Sequence, residues 1–336
     1  MGSKRVGNQT VVFQNPPAIL SGYSVVGPKE DEGPLKGSFD KVLPDTYDGE
    51  KSWERTEAKM LKTALQGAAD KGNTPLNEIN YILAGDLLNQ LISANFAARE
   101  IALPFIGLYG ACSTMALSIA LGAMLIDGDY AFKVLCASSS HHNTAERQFR
   151  LPTEQGNQRP MYAQWTVTGA GSVLLSAVGE GPRVTSATLG RVVDLGETDA
   201  NNMGAAMAPA VADTIINHFH DLNREPDYYD LIVSGDLGNV GLQVALQVLS
   251  KSGLSLGSIF SDCGVMIYSS KQDTHAGGSG CGCSAVVLAN HLLNQILAGQ
   301  LKKILFIGSG CLYSPTTTLQ GETMPSIGHA VSLEMM

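Results

Sequence analysis

The feature that most constrains this chain is an internal repeat. TyrIleLeuAlaGlyAspLeuLeuAsn at 81–89 returns as LeuIleValSerGlyAspLeuGlyAsn at 231–239, and CysSer at 112–113 returns at 283–284. A helix-like stretch follows each CysSer. Then come a Gly (Gly128, Gly299) and an apolar strand, PheLysValLeuCysAla at 132–137 or LysIleLeuPheIleGly at 303–308. Two matches in the same order, with the same expected elements, point to a duplicated strand–turn–helix unit. Strands alternating with helices make the class α/β with a buried sheet. The boundary is placed at the GlyGluGlyPro linker, giving halves 1–178 and 179–336.

The elements follow from patterning. Met60, Leu61, Ala64, Leu65 and Ala68 recur at helical spacing and predict a helix over Trp53–Lys71. Strands are expected at ValValPhe (11–13), 79–84, 132–137 and 169–176, with a polar, Arg-bearing excursion from about 139 to Arg159. The uncharged run from Ile101 to Ile126 has the length of a membrane span. Pro104, Gly107, Gly110, Ser113, Thr114 and Ser118 interrupt it, so it is read as a buried strand (103–108), a tight turn and a buried helix (113–126).

Composition narrows the function. Charged residues are only 16% of the chain and the net charge is −9, which excludes disorder as the main state and argues against nucleic-acid binding. The N-terminal residues lack the apolar core of a signal peptide, so the expectation is a soluble protein made in the cytoplasm. All six cysteines lie in apolar or Gly-rich runs and are read as free thiols. The CysGlyCys at 281–283 has too few companions for a zinc site and reads as a close-packed turn.

In GlyAlaCysSerThr (110–114) a strand enters, a tight turn follows and a helix leaves. Cys112 would sit where helix amides and dipole lower a thiol pKa, which is how a nucleophile is built. A buried small hydrophobe is the competing reading.

The duplicated halves and this cysteine resemble the thiolase superfamily. That resemblance implies a five-layer αβαβα fold from two similar halves, usually a homodimer, with Cys112 as the acyl-accepting position. The superfamily's His and its second partner are not matched: Asp236 stands where the His is expected and Gly280 where the other falls. His275 and His329 occupy no matching position. An Asp beside a thiol raises its pKa and supplies neither imidazole base nor oxyanion donor. The resemblance therefore implies a retained pocket with dismantled chemistry, and the chain is expected not to be an enzyme. An acyl-thioester transferase or condensing enzyme using Cys112 is the alternative.

A closer resemblance is carried by LeuAlaGlyAspLeuLeuAsnGln (83–90), TyrGlyAlaCysSerThr (109–114), SerSerHisHisAsnThrAlaGluArgGlnPheArgLeuProThrGlu (139–154), MetAlaProAlaValAlaAspThrIle (207–215) and GlyGlySerGlyCysGlyCysSerAlaVal (277–286). These resemble the stage V sporulation protein AD family of spore-forming bacteria. The resemblance implies binding of dipicolinic acid, with Ca2+ as its possible companion, for uptake into the developing spore. It also implies integral-membrane partner subunits and a peripheral place at the spore inner membrane. For such a flat dianion the candidate contacts are amides at Cys112 and Ser113 for one carboxylate and Arg147, Arg150 or Arg159 for the other. His141 and His142 are candidate donors, with His142 preferred, and Asp236 and Asn239 candidate neighbours of calcium. The arginines have a competing role as surface partners of Glu146 and Glu154. The AspLeuGlyAsn turn has one in turn chemistry.

Overall fold

The computed structural model describes residues 4–149 and 158–336. The first repeat runs β1 (Ala18–Val26), α1 (Trp53–Lys71), β2 (Tyr81–Gly85), α2 (Ile92–Ile101), β3 (Phe105–Gly107), α3 (Thr114–Asp127), β4 (Lys133–Ser140), α4 (His142–Phe149), β5 (Trp165–Thr166) and β6 (Gly169–Ser176). The second runs β7 (Arg183–Leu189), α5 (Met203–Leu222), β8 (Leu231–Ser234), α6 (Gly238–Lys251), β9 (Phe260–Asp262), β10 (Gly278–Ser279), α7 (Cys281–Val286), β11 (Lys303–Cys311), α8 (Pro315–Leu319) and β12 (Ser326–Glu334).

The main strand order is β9-β8-β11-β12-β7-β1-β6-β4-β2-β3. Each repeat thus contributes five strands in the same arrangement. β2 pairs parallel with β3 and β4, as β8 does with β9 and β11. β4 pairs antiparallel with β6, as β11 does with β12. The repeats meet where β7 touches β1 at Arg183↔Ala18.

Five layers follow from what each helix touches. α1 packs on α2 and on β1, β4 and β6, whereas α5 packs on α6, β11 and β12. Between the sheets lie α3 and α7; α3 touches β4 and β2 on one side and β11 and β12 on the other. Such a helix has no solvent face and must be apolar all round. Met115, Ala116, Ile119, Ala120 and Ala123 are fully buried, which explains the uncharged run. Among the described residues no helix is long and apolar enough to cross a membrane.

Helix α1 occupies the predicted span and is capped by Ser52, whose side chain accepts from the Arg55 amide. Strand β6 also falls on its expected residues. Two expectations change: residues 142–149 form helix α4 within the segment expected as a polar excursion, and the strand expected to be buried at 103–108 is β3 at the sheet edge, with Ile106 and Gly107 exposed. All six cysteines are buried, and none of them is in a disulfide.

Candidate functional site

Cys112 sits between β3 and α3 on a turn in which Ala111 takes φ 49°, a left-handed conformation uncommon for a non-glycine residue. The turn is clamped from the second repeat. A Cβ on Gly310 of β11 would stand 2.3 Å from the Gly110 carbonyl oxygen, and one on Gly308 would stand 2.7 Å from that of Ser113. Only glycine lets β11 approach so closely.

Over the cysteine lies a small cavity lined by Leu87, Tyr109, Ala111, Cys112, Ala145, Phe149, Thr166, Met203, Ser279, Cys311 and Tyr313. Its walls are largely apolar and aromatic; Phe149 and Tyr313 meet edge to face at 6.3 Å. Such walls suit a small, flat, mostly apolar ligand.

Behind the cysteine stands Asp236. Its carboxylate accepts from Ser309 Oγ at 2.6 Å, Ser279 Oγ at 3.1 Å and the Gly280 amide at 3.0 Å. It also accepts from the Cys112 thiol. Burial pushes the Asp236 carboxyl upward despite these donors. The Cys112 thiol is held well above its ordinary value, first by burial and then by the Asp236 charge. The helix-terminus lowering expected for this thiol is therefore outweighed.

The remaining candidates separate. Ser113 is fully buried, but its amide and its hydroxyl both donate to the Gly110 carbonyl, so neither is offered to a ligand. His142 lies outside this cavity, stacked on Trp165 at 3.6 Å and lining a different cleft with Lys29 and Thr46. His141 is buried against the Thr46 carbonyl. Arg147 is exposed, paired with Glu54 and laid over Trp53. The reason is helical phase: Ala145 and Phe149 face the cavity, which turns position 147 away. Arg150 lies outside the described residues. Arg159 donates to the Asp273 carbonyl and covers Trp165. Asn239 is exposed on the first turn of α6. His275 bonds the Pro160 carbonyl, and His329 accepts from the Gly190 amide. The cavity lining contains no histidine among the described residues.

The structure thus brings Cys112 and Asp236 together. Sequence reasoning did not single out Tyr109, Phe149, Thr166, Met203, Ser279, Cys311 or Tyr313 as site residues. Tyr109, Phe149 and Ser279 lie within the distinctive segments, and Cys311 is one of the six thiols, but nothing in their spacing marks them as cavity-facing.

Comparison with known proteins places this geometry. AbyA1, a tetronic acid condensing enzyme, aligns with a TM-score of 0.62 at 16% identity, covering 95% of this chain and 99% of that one. Xanthomonas campestris OleA, solved with bound lauric acid and lauroyl-CoA, aligns with a TM-score of 0.63 at 12% identity over 96% of this chain and 100% of its own. 3-Oxoacyl-[acyl-carrier-protein] synthase III of Aquifex aeolicus aligns at 0.57 and 12%, covering 95% and 99%. The likeness establishes the thiolase-like condensing-enzyme fold.

It also corrects the expectation that the chain is not an enzyme. The architecture of condensing enzymes is kept nearly end to end, and the cysteine lies buried on its turn with a cavity over it. A non-enzymatic reading therefore does not follow from the missing imidazole.

In sequence, the stage V sporulation protein AD of Bacillus subtilis (strain 168) is 46% identical over 331 residues, 98% of each chain. The profile of that family matches residues 7–334. With this coverage, the chain belongs to the stage V sporulation protein AD family.

Proposed function

We propose that the cavity over Cys112 binds a small carboxylic acid or its thioester during spore formation. The observation that carries this reading is the make-up of the cavity itself: it is walled by Tyr109, Phe149 and Tyr313, with the Cys112 thiol on its lining. In the spore system the ligand is dipicolinic acid, whose flat ring suits those walls. The protein would hold it for uptake beside integral-membrane subunits at the spore inner membrane, as a homodimer. Calcium would enter on the ligand's own carboxylates, since among the described residues no group of three or more His, Cys, Asp or Glu is gathered to hold an ion.

A second reading, acyl transfer or condensation through Cys112, is favoured by the likeness to condensing enzymes and by the thiol–carboxylate contact. In that chemistry the Cys112 sulfur attacks a thioester carbonyl while its proton passes to Asp236. The old carbon–sulfur bond then breaks, and the leaving thiolate takes the proton back. A carboxyl raised by burial is a stronger base than an ordinary one.

Calorimetry with dipicolinate, with and without calcium, is expected to show saturable binding, weakened by filling the cavity with Ala145→Phe. No saturation up to millimolar ligand removes the dipicolinate reading. Incubation with labelled acyl-CoA and mass spectrometry of the Cys112 peptide tests the second. A mass shift that forms and turns over supports transfer; an unmodified peptide removes it.

A further inference from the structure

We infer that the cleft between α1 and α2 is a second binding site, one that takes a phosphate monoester joined to an apolar body. The cleft encloses about 490 Å3 and shares no lining residue with the cavity over Cys112. Helix α1 lines it with Glu54, Arg55, Lys59 and Lys62, and α2 with Ile92, Ser93, Phe96, Arg99 and Glu100. Spacings of three and four place each set on one face of its helix.

The charges on these faces do not cancel. Three carboxylates line the cleft, and each already has a cation. Glu54 pairs with Arg147, Glu100 with Lys62 at 2.7 Å, and Glu50 lies 3.8 Å from Lys59, which also meets Asp48 at 2.9 Å. Arg55 and Arg99 are exposed and make no ion pair among the described residues. The Arg99 guanidinium lies over the Phe96 ring at 4.5 Å. Its charge also reaches Glu100, but the hydrogen bond to that carboxylate comes from Lys62. On a chain of net charge −9, two such guanidiniums at one cleft point to an anionic ligand.

Ser93 is the independent sign. It is only 1% exposed, it lines the cleft, and its Oγ has no hydrogen-bond partner among the described residues. Its backbone amide and that of Ala94 already go to Asp86, so its hydroxyl is what the first turn of α2 has left to donate there. A buried hydroxyl left without a partner costs about 1–3 kcal/mol, which an oxyanion in the cleft would recover. Two guanidinium charges match the charge of about −1.5 to −2 on a phosphate monoester. Its three terminal oxygens can accept from both forks and the hydroxyl at once, which the two oxygens of a carboxylate do less well. Ile92 and Phe96, 38% and 41% exposed, give the body of the ligand apolar contact. A soluble phosphate ester and the headgroup of phosphatidic acid in a bilayer both present this chemistry.

The full chain is titrated with phenyl phosphate by calorimetry and sedimented with phosphatidylcholine vesicles with and without phosphatidic acid. A soluble ligand predicts saturation by phenyl phosphate; a lipid predicts sedimentation only when phosphatidic acid is present. In whichever arm responds, Ser93→Ala is expected to weaken binding about fivefold and Arg99→Gln about tenfold or more. Arg99→Lys keeps the charge but loses the fork, and is expected to fall between Arg99→Gln and the wild type. Alanine is the best helix former, so Ser93→Ala keeps α2. Should it nevertheless melt early by circular dichroism, the exposed Arg55→Gln takes its place. A wild type that engages neither probe overturns the proposal, and so do variants that bind as the wild type does. Neither result bears on the Cys112 cavity, which Ala145→Phe tests separately.

Discussion

Asp236 differs from Asp86, its counterpart in the first repeat, in where its oxygens point. Asp86 accepts from the Leu88 and Ala94 amides, both at 2.7 Å, and so closes its own turn and starts α2. In the second repeat the amides that follow Asp236, those of Leu237 and Gly238, go to Asp262 instead, at 2.8 and 2.9 Å. Asp236 is released from turn duty and faces Cys112. After burial, its charge is the largest influence that holds the thiol up. Asp236→Asn removes that charge and keeps the shape, so the thiol pKa is expected to fall. Alkylation of Cys112 by iodoacetamide at pH 8 should accelerate, by about tenfold for each unit of the fall. An unchanged rate would show that burial alone keeps the thiol protonated.

At the scale of elements, the site depends on β11 pressing against the turn before α3. Gly310→Ala places a methyl carbon 2.3 Å from the Gly110 oxygen, so the strand or the turn must move. The expected cost is about 1–3 kcal/mol in urea unfolding, together with weaker ligand binding. Equal midpoints would mean that the contact is looser than drawn. This is also the scale at which the sequence is most readable. Helix α1 shows a regular apolar face, and the run at 101–126 breaks where Pro104, Gly107 and Gly110 require it. The site is less readable. The segment from 142 to 149 is polar apart from Ala145 and Phe149, and their spacing of four is the helical signal that puts Phe149 and Arg147 on different faces. Asp236 itself is legible as a departure from the superfamily's His, but its contact with Cys112 requires the fold.

Across the whole molecule, burial shifts two sets of titrating groups in opposite senses. Glu30, Glu57, Asp86, Asp236 and Asp262 are all raised, chiefly by desolvation. His141 and His329 are lowered to about 4 and His218 to about 3, again by burial. A raised carboxyl stabilises the fold at low pH and loses that contribution as pH climbs through its folded pKa. A lowered histidine contributes above its unfolded pKa and loses its contribution as pH falls. The two sets therefore oppose each other between about pH 4 and 7, and removing one member tips the balance. Asp262 is the cleanest choice, raised from 3.8 to about 7 while accepting from Ser234, Leu237 and Gly238. Asp262→Asn imitates its protonated form at every pH. The wild type is expected to exceed the variant in stability most at pH 4.5. By pH 8 the gap should narrow by roughly 3–4 kcal/mol, because only the wild type then carries an ionised carboxylate in the core. Urea titrations of both proteins at the two pH values measure this directly. A gap that stays constant would mean that Asp262 titrates as an ordinary carboxylate and that the charge beside Asp236 is not suppressed by the fold.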